Sequence, residues 1–236
     1  MAAWPDWRGM RGRQPPFELA PGCFAVDRFL SSWCYVLTGA ETLLIDTGMP
    51  GRAGPILRAA RQIGVEPSDI DRIVLTHFDI DHTGSAVELQ RRTGAPILMH
   101  EADVRFLAAP ETCPGLRGLL YWPLVPWIMR WRLPTDVTTV REGDAIDDWA
   151  VLHTPGHTPG SMSLLRGDTL VAGDALIYSR GRLHENVPWL ATSRAEQRAS
   201  ARRLAASGAR VVLPGHYSPC TDPSALTRLA RRLERR

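Results

Sequence analysis

Short apolar runs and helically spaced apolar positions take turns along this chain. Runs over 23–29, 33–37 and 41–45 have the length and make-up of β-strands, and the last ends in the tight loop Asp46-Thr47-Gly48. Apolar positions then recur at helical spacing over 56–63, where Gly64 closes the helix. The same alternation predicts a strand over 73–75, a helix over 85–92 ending at Gly94, a strand over 96–99 and a short helix over 101–107. Further strands are predicted over 137–140, 150–153, 162–165 and 169–171. A helix over 194–206, a strand over 210–213 and an amphipathic helix beginning at Ser224 follow. Strand clusters followed by helices occur twice, which predicts two packed sheets with helices outside. No strict sequence period is present.

Two segments depart from this rhythm. Residues 1–16 are rich in Gly, Pro and Arg and read as a loose N-terminal arm, leaving 17–236 as one domain. Between 110 and 134 stand Leu119, Leu120, Tyr121, Trp122, Leu124, Val125, Trp127, Ile128, Met129 and Trp131. Such an apolar insertion suits a helical hairpin packed on the core. It suits equally a lid over an apolar pocket or a homodimer contact through 119–131.

The length of 236 residues favours one large domain over two, with room for a substantial core. All 28 basic residues are arginine, yet they exceed the 25 acids by only three, which argues against a nucleic-acid partner. The pairs Arg202-Arg203 and Arg231-Arg232 fall on helical patterns and read as solvated faces. No apolar stretch is long enough to span a bilayer, and the first residues lack the pattern of a signal peptide. Cys23, Cys34, Cys113 and Cys220 are scattered, as reduced and buried thiols of a cytoplasmic protein would be.

The candidate chemistry is concentrated in Thr76-His77-Phe78-Asp79-Ile80-Asp81-His82-Thr83-Gly84, which follows the apolar run 73–75. His77, Asp79, Asp81 and His82 are all metal-competent. Three more such side chains stand beside glycines: His157 after Gly156, Asp174 after Gly173, and His216 after Gly215. Imidazole and carboxylate donors on loops that follow strands suit two divalent ions held close together.

These motifs, with Leu44-Ile45-Asp46-Thr47-Gly48 ahead of them, resemble the metallo-β-lactamase-fold superfamily in both content and order over roughly residues 20 to 220. The resemblance implies an α/β (α+β) protein: a four-layer αββα sandwich of two mixed β-sheets flanked by helices, with metals at one rim. It implies that His77, Asp79 and His157 hold one ion, that Asp81, His82 and His216 hold the other, and that Asp174 bridges them. Asp46 then orients the ligand loop, and Gly84 permits a close turn into the next helix. His100, His153 and His184 match no ligand position and read as structural or exposed. Asp79 departs from the commonest pattern, which has histidine there. Three carboxylates and a bridging hydroxide cancel the four charges of two divalent ions, so the bound water is acidified less. The extra oxygen donor raises the prospects of manganese or iron, with zinc still favoured.

The implied reaction is hydrolysis of a lactone, ester, thioester or amide carbonyl by a dinuclear-metal-activated hydroxide, with Asp81 placed to shuttle a proton. Residues 173–178, with Glu185-Asn186-Val187-Pro188 after them, resemble the acyl-homoserine lactonases. There a tyrosine beyond the bridging aspartate hydrogen-bonds the lactone, which makes Tyr178 a catalytic candidate, although it lies slightly further from Asp174 here. A lactonase-like activity on a small molecule is therefore favoured, with an apolar acyl tail if 119–131 forms a lid. A glyoxalase-II-like thioesterase usually carries an extra carboxyl-terminal domain, and only 20 residues follow His216. A diiron-type oxidoreductase, related to the metallo-β-lactamase-like domain of flavodiiron proteins, is the alternative from another class. It too places a carboxylate at the position of Asp79, but it requires a flavin domain.

Overall fold

In the computed structural model, which describes residues 14–30, 32–114 and 130–235, the first sheet is assembled strictly in chain order. Its seven strands are β1 (Phe17–Ala20), β2 (Cys23–Phe29), β3 (Ser32–Thr38), β4 (Thr42–Ile45), β5 (Arg72–Leu75), β6 (Ile97–His100) and β7 (Val137–Val140). Short turns make β1 to β4 antiparallel. From β4 to β7 the strands are parallel, because each connection crosses over. Helix α1 (Ala53–Gln62) leads to β5, α2 (Ile80–Thr83) and α3 (Ala86–Thr93) lead to β6, and α4 (Glu101–Ala108) follows β6.

The second sheet contains β8 (Ala145–Ile146), β9 (Trp149–His153), β10 (Met162–Arg166), β11 (Thr169–Gly173) and β14 (Val211–Pro214). Between β11 and β14 the chain forms a separate hairpin, β12 (Leu176–Ser179) with β13 (Arg182–Glu185), and then helix α5 (Arg194–Ala205). Helix α6 (Ala225–Glu234) closes the described chain.

Side chains alternate across each strand, which is why the central strands are apolar throughout. On β3, Trp33, Tyr35 and Leu37 face the second sheet, while Cys34 and Val36 face the helices. On β4, Leu43 and Ile45 point inward and Leu44 outward. The inner layer between the sheets is filled from the other side by Trp149, Val151, Met162, Leu164, Val171 and Leu213. A second apolar layer lies under α1, α3 and α4, and a third lies under α5, α6 and the hairpin. The result is the αββα sandwich. The buried hydroxyl of Tyr35 donates to the Pro214 carbonyl (2.7 Å), tying the sheets together near one rim.

Some elements differ from the sequence expectation. β8 has only two residues and shows no period, while β1 and the β12–β13 hairpin are read out only by pairing. A single helical turn, α2, sits inside the ligand loop. Trp131 belongs to the core beneath the helices, and its indole N–H donates to the Thr83 hydroxyl (3.1 Å). The remainder of the 119–131 segment, and residues 1–13 of the expected arm, lie outside the described residues. All four cysteines are buried thiols. Among the described residues no helix is long and apolar enough to cross a membrane.

At the ends of β6 and β9, His100 and His153 stack with ring centroids 3.9 Å apart and planes within 10°. His100 Nδ1 accepts the Ala102 N–H (3.3 Å), capping α4, so this ring must be neutral at Nδ1. Burial, with His153 adding to it, pushes His100 down from 6.5 to about 4. The unfolded imidazole therefore takes its proton first as the pH falls. The stabilising contribution is complete above 6.5 and is lost as the pH drops toward 4. His100→Asn keeps a capping acceptor and removes the titration. Its melting temperature is expected to fall less steeply than that of the wild type between about pH 6.5 and 4.5 in thermal unfolding; parallel curves would contradict this.

Candidate metal centre

Strands β9, β11 and β14 run in one direction, because β10 is antiparallel to β9 and β11, and β14 is parallel to β11. Their carboxyl ends therefore release His157, Asp174 and His216 along one rim. β5 delivers the 77–82 loop to the same rim, where the Thr76 carbonyl accepts the Met162 N–H of β10 (3.0 Å). The Gly215 N–H donates to the Gly173 carbonyl (2.8 Å), setting the β11 and β14 loops side by side.

The structure brings all seven candidate donors together. Asp174 Oδ2 lies 3.2 Å from His157 Nε2 and 3.3 Å from His216 Nε2, and its Oδ1 lies 3.6 Å from His82 Nε2. Asp79 Oδ2 lies 3.4 Å from His77 Nε2 and 3.3 Å from His157 Nε2. Asp81 Oδ2 is 3.1 Å from His216 Nε2 and 3.8 Å from His82 Nε2. Four donors bound tetrahedrally at about 2.0–2.1 Å stand roughly 3.3–3.4 Å apart, which is the spacing found here. The donors fall into two groups, His77 with His157 and Asp174, and Asp81 with His82 and His216; within each, the donor atoms lie within 4.8 Å of one another. Asp79 adjoins the first.

Two observations fit this cluster to cations. His77 Nε2 and Asp174 Oδ1 are buried without a hydrogen-bond partner among the described residues, a rare and costly condition for polar atoms that have no other role. The local field is also strongly negative. Although burial opposes charging His82, Asp46, Asp81 and Asp174 hold its imidazole up at about 10. Asp174 is held well below the ordinary carboxylate range: burial acts against this, and His216, His157, His82 and His77 overcome it.

Hydrogen bonds around the cluster fix which imidazole nitrogen faces inward. Asp46 sits at a left-handed φ of +56°, a conformation that a short carboxylate tolerates. It accepts the Thr76 N–H and hydroxyl (2.8 Å each) and His82 Nδ1 (2.8 Å). The single Thr76 hydroxyl proton goes to Asp46, so Thr76 Oγ1 accepts from His77 Nδ1 (3.0 Å). In neutral form, both His77 and His82 then turn a bare Nε2 toward the centre. Asn186 donates to Asp174 Oδ2 (2.9 Å) and accepts the Val187 N–H at its own Oδ1 (2.7 Å).

Asp103, in the first turn of α4, is the structural residue that no sequence pattern singles out. An aspartate there is an ordinary helix-start residue. In the fold it is fully buried, and it accepts the Phe78 N–H (3.1 Å), the Thr158 hydroxyl (2.7 Å) and the Gly160 N–H (2.5 Å). One carboxylate thereby joins the loop of His77 and Asp79 to the loop of His157. Burial raises it to about 6, against the opposing pull of Thr158, His77 and Gly160.

The fold alters the expectation for Gly84 and sets Tyr178 apart from the cluster. Gly84 is needed not for an unusual turn but for close approach: its backbone is helical (φ −60°), and a Cβ would strike Pro50. At Gly215 a Cβ would collide with Asp174 Oδ1 and come within 2.8 Å of His82 Cε1, so a side chain there would invade the cluster. Tyr178 is not brought into the cluster. Its ring is buried in the layer under α5 and α6, with the hydroxyl bonded to Cys220, because the strand alternation of β12 turns it to that face. His184 is likewise engaged locally, at the Ser179 carbonyl (3.3 Å).

Asp103→Asn presents an amide N–H to a pocket of donors. It is expected to cost about 3 kcal/mol of stability and to weaken metal binding about tenfold or more, measured by thermal unfolding and chelator competition; unaltered metal affinity would contradict the tether. Tyr178→Phe is expected to lower the melting temperature slightly and leave kcat within about twofold; a large loss of kcat would return Tyr178 to the catalytic list.

Comparison with known proteins agrees with this geometry. Residues 27–216 match the metallo-beta-lactamase superfamily. The chain is 30% identical to the probable metallo-hydrolase YflN of Bacillus subtilis, over 92% of this chain and 93% of that protein. It is 28% identical to an N-acyl homoserine lactonase from Bacillus sp, covering 68% of this chain and 69% of the relative. The crystal structure of a metallo-beta-lactamase family protein, TTHA1429 from Thermus thermophilus, superposes with a TM-score of 0.73 at 25% identity, over 92% of this chain and 81% of that one. On the length of the family match and the shared sandwich, this chain belongs to the metallo-β-lactamase superfamily and is a hydrolase.

Proposed function

We propose that the protein hydrolyses the carbonyl of a lactone, ester or thioester, with a lactonase-like activity favoured. The observation that carries this reading is the convergence of seven imidazole and carboxylate donors on one rim, two of whose buried atoms, His77 Nε2 and Asp174 Oδ1, have no hydrogen-bond partner among the described residues. His77, Asp79 and His157 would hold one divalent ion and Asp81, His82 and His216 the other, with Asp174 between. Two such ions supply Lewis acidity toward a carbonyl and lower the pKa of water into the neutral range.

The chain's own residues have distinct tasks. Asp46 and Thr76 keep the inward nitrogens of His77 and His82 bare. Asn186 restrains Asp174. The Asp81 side chain, a quarter exposed and 3.1 Å from His216 Nε2, would be the group able to pass a proton to a leaving group. Zinc is the favoured ion; the carboxylate at Asp79 raises the share of manganese or iron. That same carboxylate favours the second reading, a diiron-type oxidoreductase. Four buried thiols support a cytoplasmic setting.

Metal analysis of freshly purified protein is expected to find up to two divalent ions per chain, and the loaded protein is expected to open acyl lactones or cleave aryl esters. His82→Ala is expected to reduce turnover to background. Wild-type turnover by that variant would refute the assignment, and a diiron optical spectrum with oxygen reduction would transfer it to the oxidoreductase class.

A further inference from the structure

A cleft of about 1410 Å³ opens between the β12–β13 hairpin, α5, the end of α6 and the edge of β3. Among the described residues its lining includes six arginines, Arg28, Arg180, Arg194, Arg198, Arg202 and Arg232, and a single carboxylate, Glu185. This is not the composition of the chain at large. With six of 28 arginines and one of 25 acids gathered here, the rest of the chain carries 22 arginines against 24 acids. The positive balance of the protein is therefore concentrated in one concavity, where clustered like charges raise the local concentration of anions.

The guanidinium groups are also held in place. Arg194 Nε donates to the Pro188 carbonyl (3.4 Å) and Arg202 Nη2 to the Leu233 carbonyl (3.2 Å), while Arg232 reaches the Leu183 carbonyl. Carbonyls fix geometry without cancelling charge. Arg198 meets the acid of the cleft, Glu185, at 3.1 Å. Arg28 lies over the Trp33 ring, 5.2 Å from its centroid. A guanidinium carries five N–H donors, and Arg194, Arg198 and Arg202 each give one to these contacts. Arg194, Arg198 and Arg202 follow at helical spacing along α5, a stripe of about 12 Å, long enough for more than one anionic group.

The cleft adjoins the candidate centre at Asn186, which lines it and donates to Asp174 Oδ2 (2.9 Å). Tyr217, the neighbour of His216, lines it as well, together with Trp33 and Ile177, so the basic wall is accompanied by an apolar one. We propose that this cleft holds the anionic portion, phosphate or carboxylate, of an acyl substrate whose carbonyl is presented to the metal centre. The proposal rests on the hydrolase reading above and names its substrate class. In the reaction, the hydroxyl of water bonds to the acyl carbon, the carbon–sulfur or carbon–oxygen bond breaks, and the remaining proton goes to the departing sulfur or oxygen.

Two measurements on the metal-loaded full chain test it. Pyrophosphate is titrated against tryptophan fluorescence, since Trp33 lines the cleft; this works whether or not the protein is a hydrolase. Saturable quenching is expected in the wild type, weakened about tenfold or more in the doubly substituted Arg194→Gln/Arg202→Gln protein. Hydrolysis of three thioesters of one acyl group is then compared. The coenzyme A ester carries phosphates, the glutathione ester carries carboxylates, and the N-acetylcysteamine ester is neutral. At least one anionic ester is expected to show a KM about tenfold below the neutral one, with the ratio collapsing toward unity in the double variant and kcat changing less than KM. Which anionic ester is preferred identifies phosphate or carboxylate as the ligand. Arg180→Gln, tested separately, guards against a folding defect and is expected to lower the same ratio. Equal KM values for all three esters, or no pyrophosphate binding at millimolar concentration, would overturn the cleft assignment. Binding of pyrophosphate without hydrolysis of any thioester or lactone would leave the anion site standing and refute the hydrolase reading on which its substrate class depends.

Discussion

Two buried carboxylates that stand outside the donor cluster hold the rim in shape. Asp46 clasps Thr76 and His82, and Asp103 clasps Phe78, Thr158 and Gly160. A buried carboxylate left without donors would cost several kcal/mol. Because each of these is satisfied by groups from other loops, separating those loops strands a charge. Asp46 thereby fixes the 76–82 loop against the end of β4. Asp103 reaches further, since its partners hang from both sheets. Strand pairing ends before the rim, so these clasps are what can keep donors from four separate strand ends within bonding range of common points.

The same hydrogen bonds set the direction of the protons. A threonine hydroxyl has one proton, and Asp46 takes it, which obliges Thr76 to accept from His77. In the neutral imidazoles the inward nitrogens of His77 and His82 are thus acceptors. The neighbouring glycines serve the same compactness: at Gly215 any side chain would occupy the space where Asp174 and His82 approach each other.

Charge is divided between two adjoining regions. The candidate centre gathers carboxylates and imidazoles whose field draws positive charge, and the cleft beyond Asn186 gathers arginines with one acid. An anion in the cleft and cations in the centre would each relieve the repulsion of its own host. The small overall excess of basic residues conceals this division, because opposite imbalances cancel when summed over the chain.

Much of this was legible before folding is considered. Nearly all the central strands and the helices α1, α3, α4, α5 and α6 follow from local apolar periodicity, since strands buried on both faces read as continuous runs. The seven candidate donors announce themselves by residue type, four clustered in one loop and three each beside a glycine. What local pattern cannot carry is pairing. β1, the two-residue β8 and the β12–β13 hairpin exist through their partners. Tyr178 is a candidate through the lactonase resemblance, although it lies slightly further from Asp174 than in that pattern, and the pleat of β12 turns its ring into the outer core. Asp103 looks like an ordinary helix-start aspartate until Thr158 and Gly160, more than fifty residues away, are folded against it. Arginines 28, 180, 194 and 232 acquire a common meaning only when one cavity is seen to collect them. Composition and spacing by themselves determined the elements and the kind of chemistry. Which atoms meet was decided by the tertiary structure, because contacts between distant segments depend on strand direction, crossover and packing, none of which leaves a trace in local order.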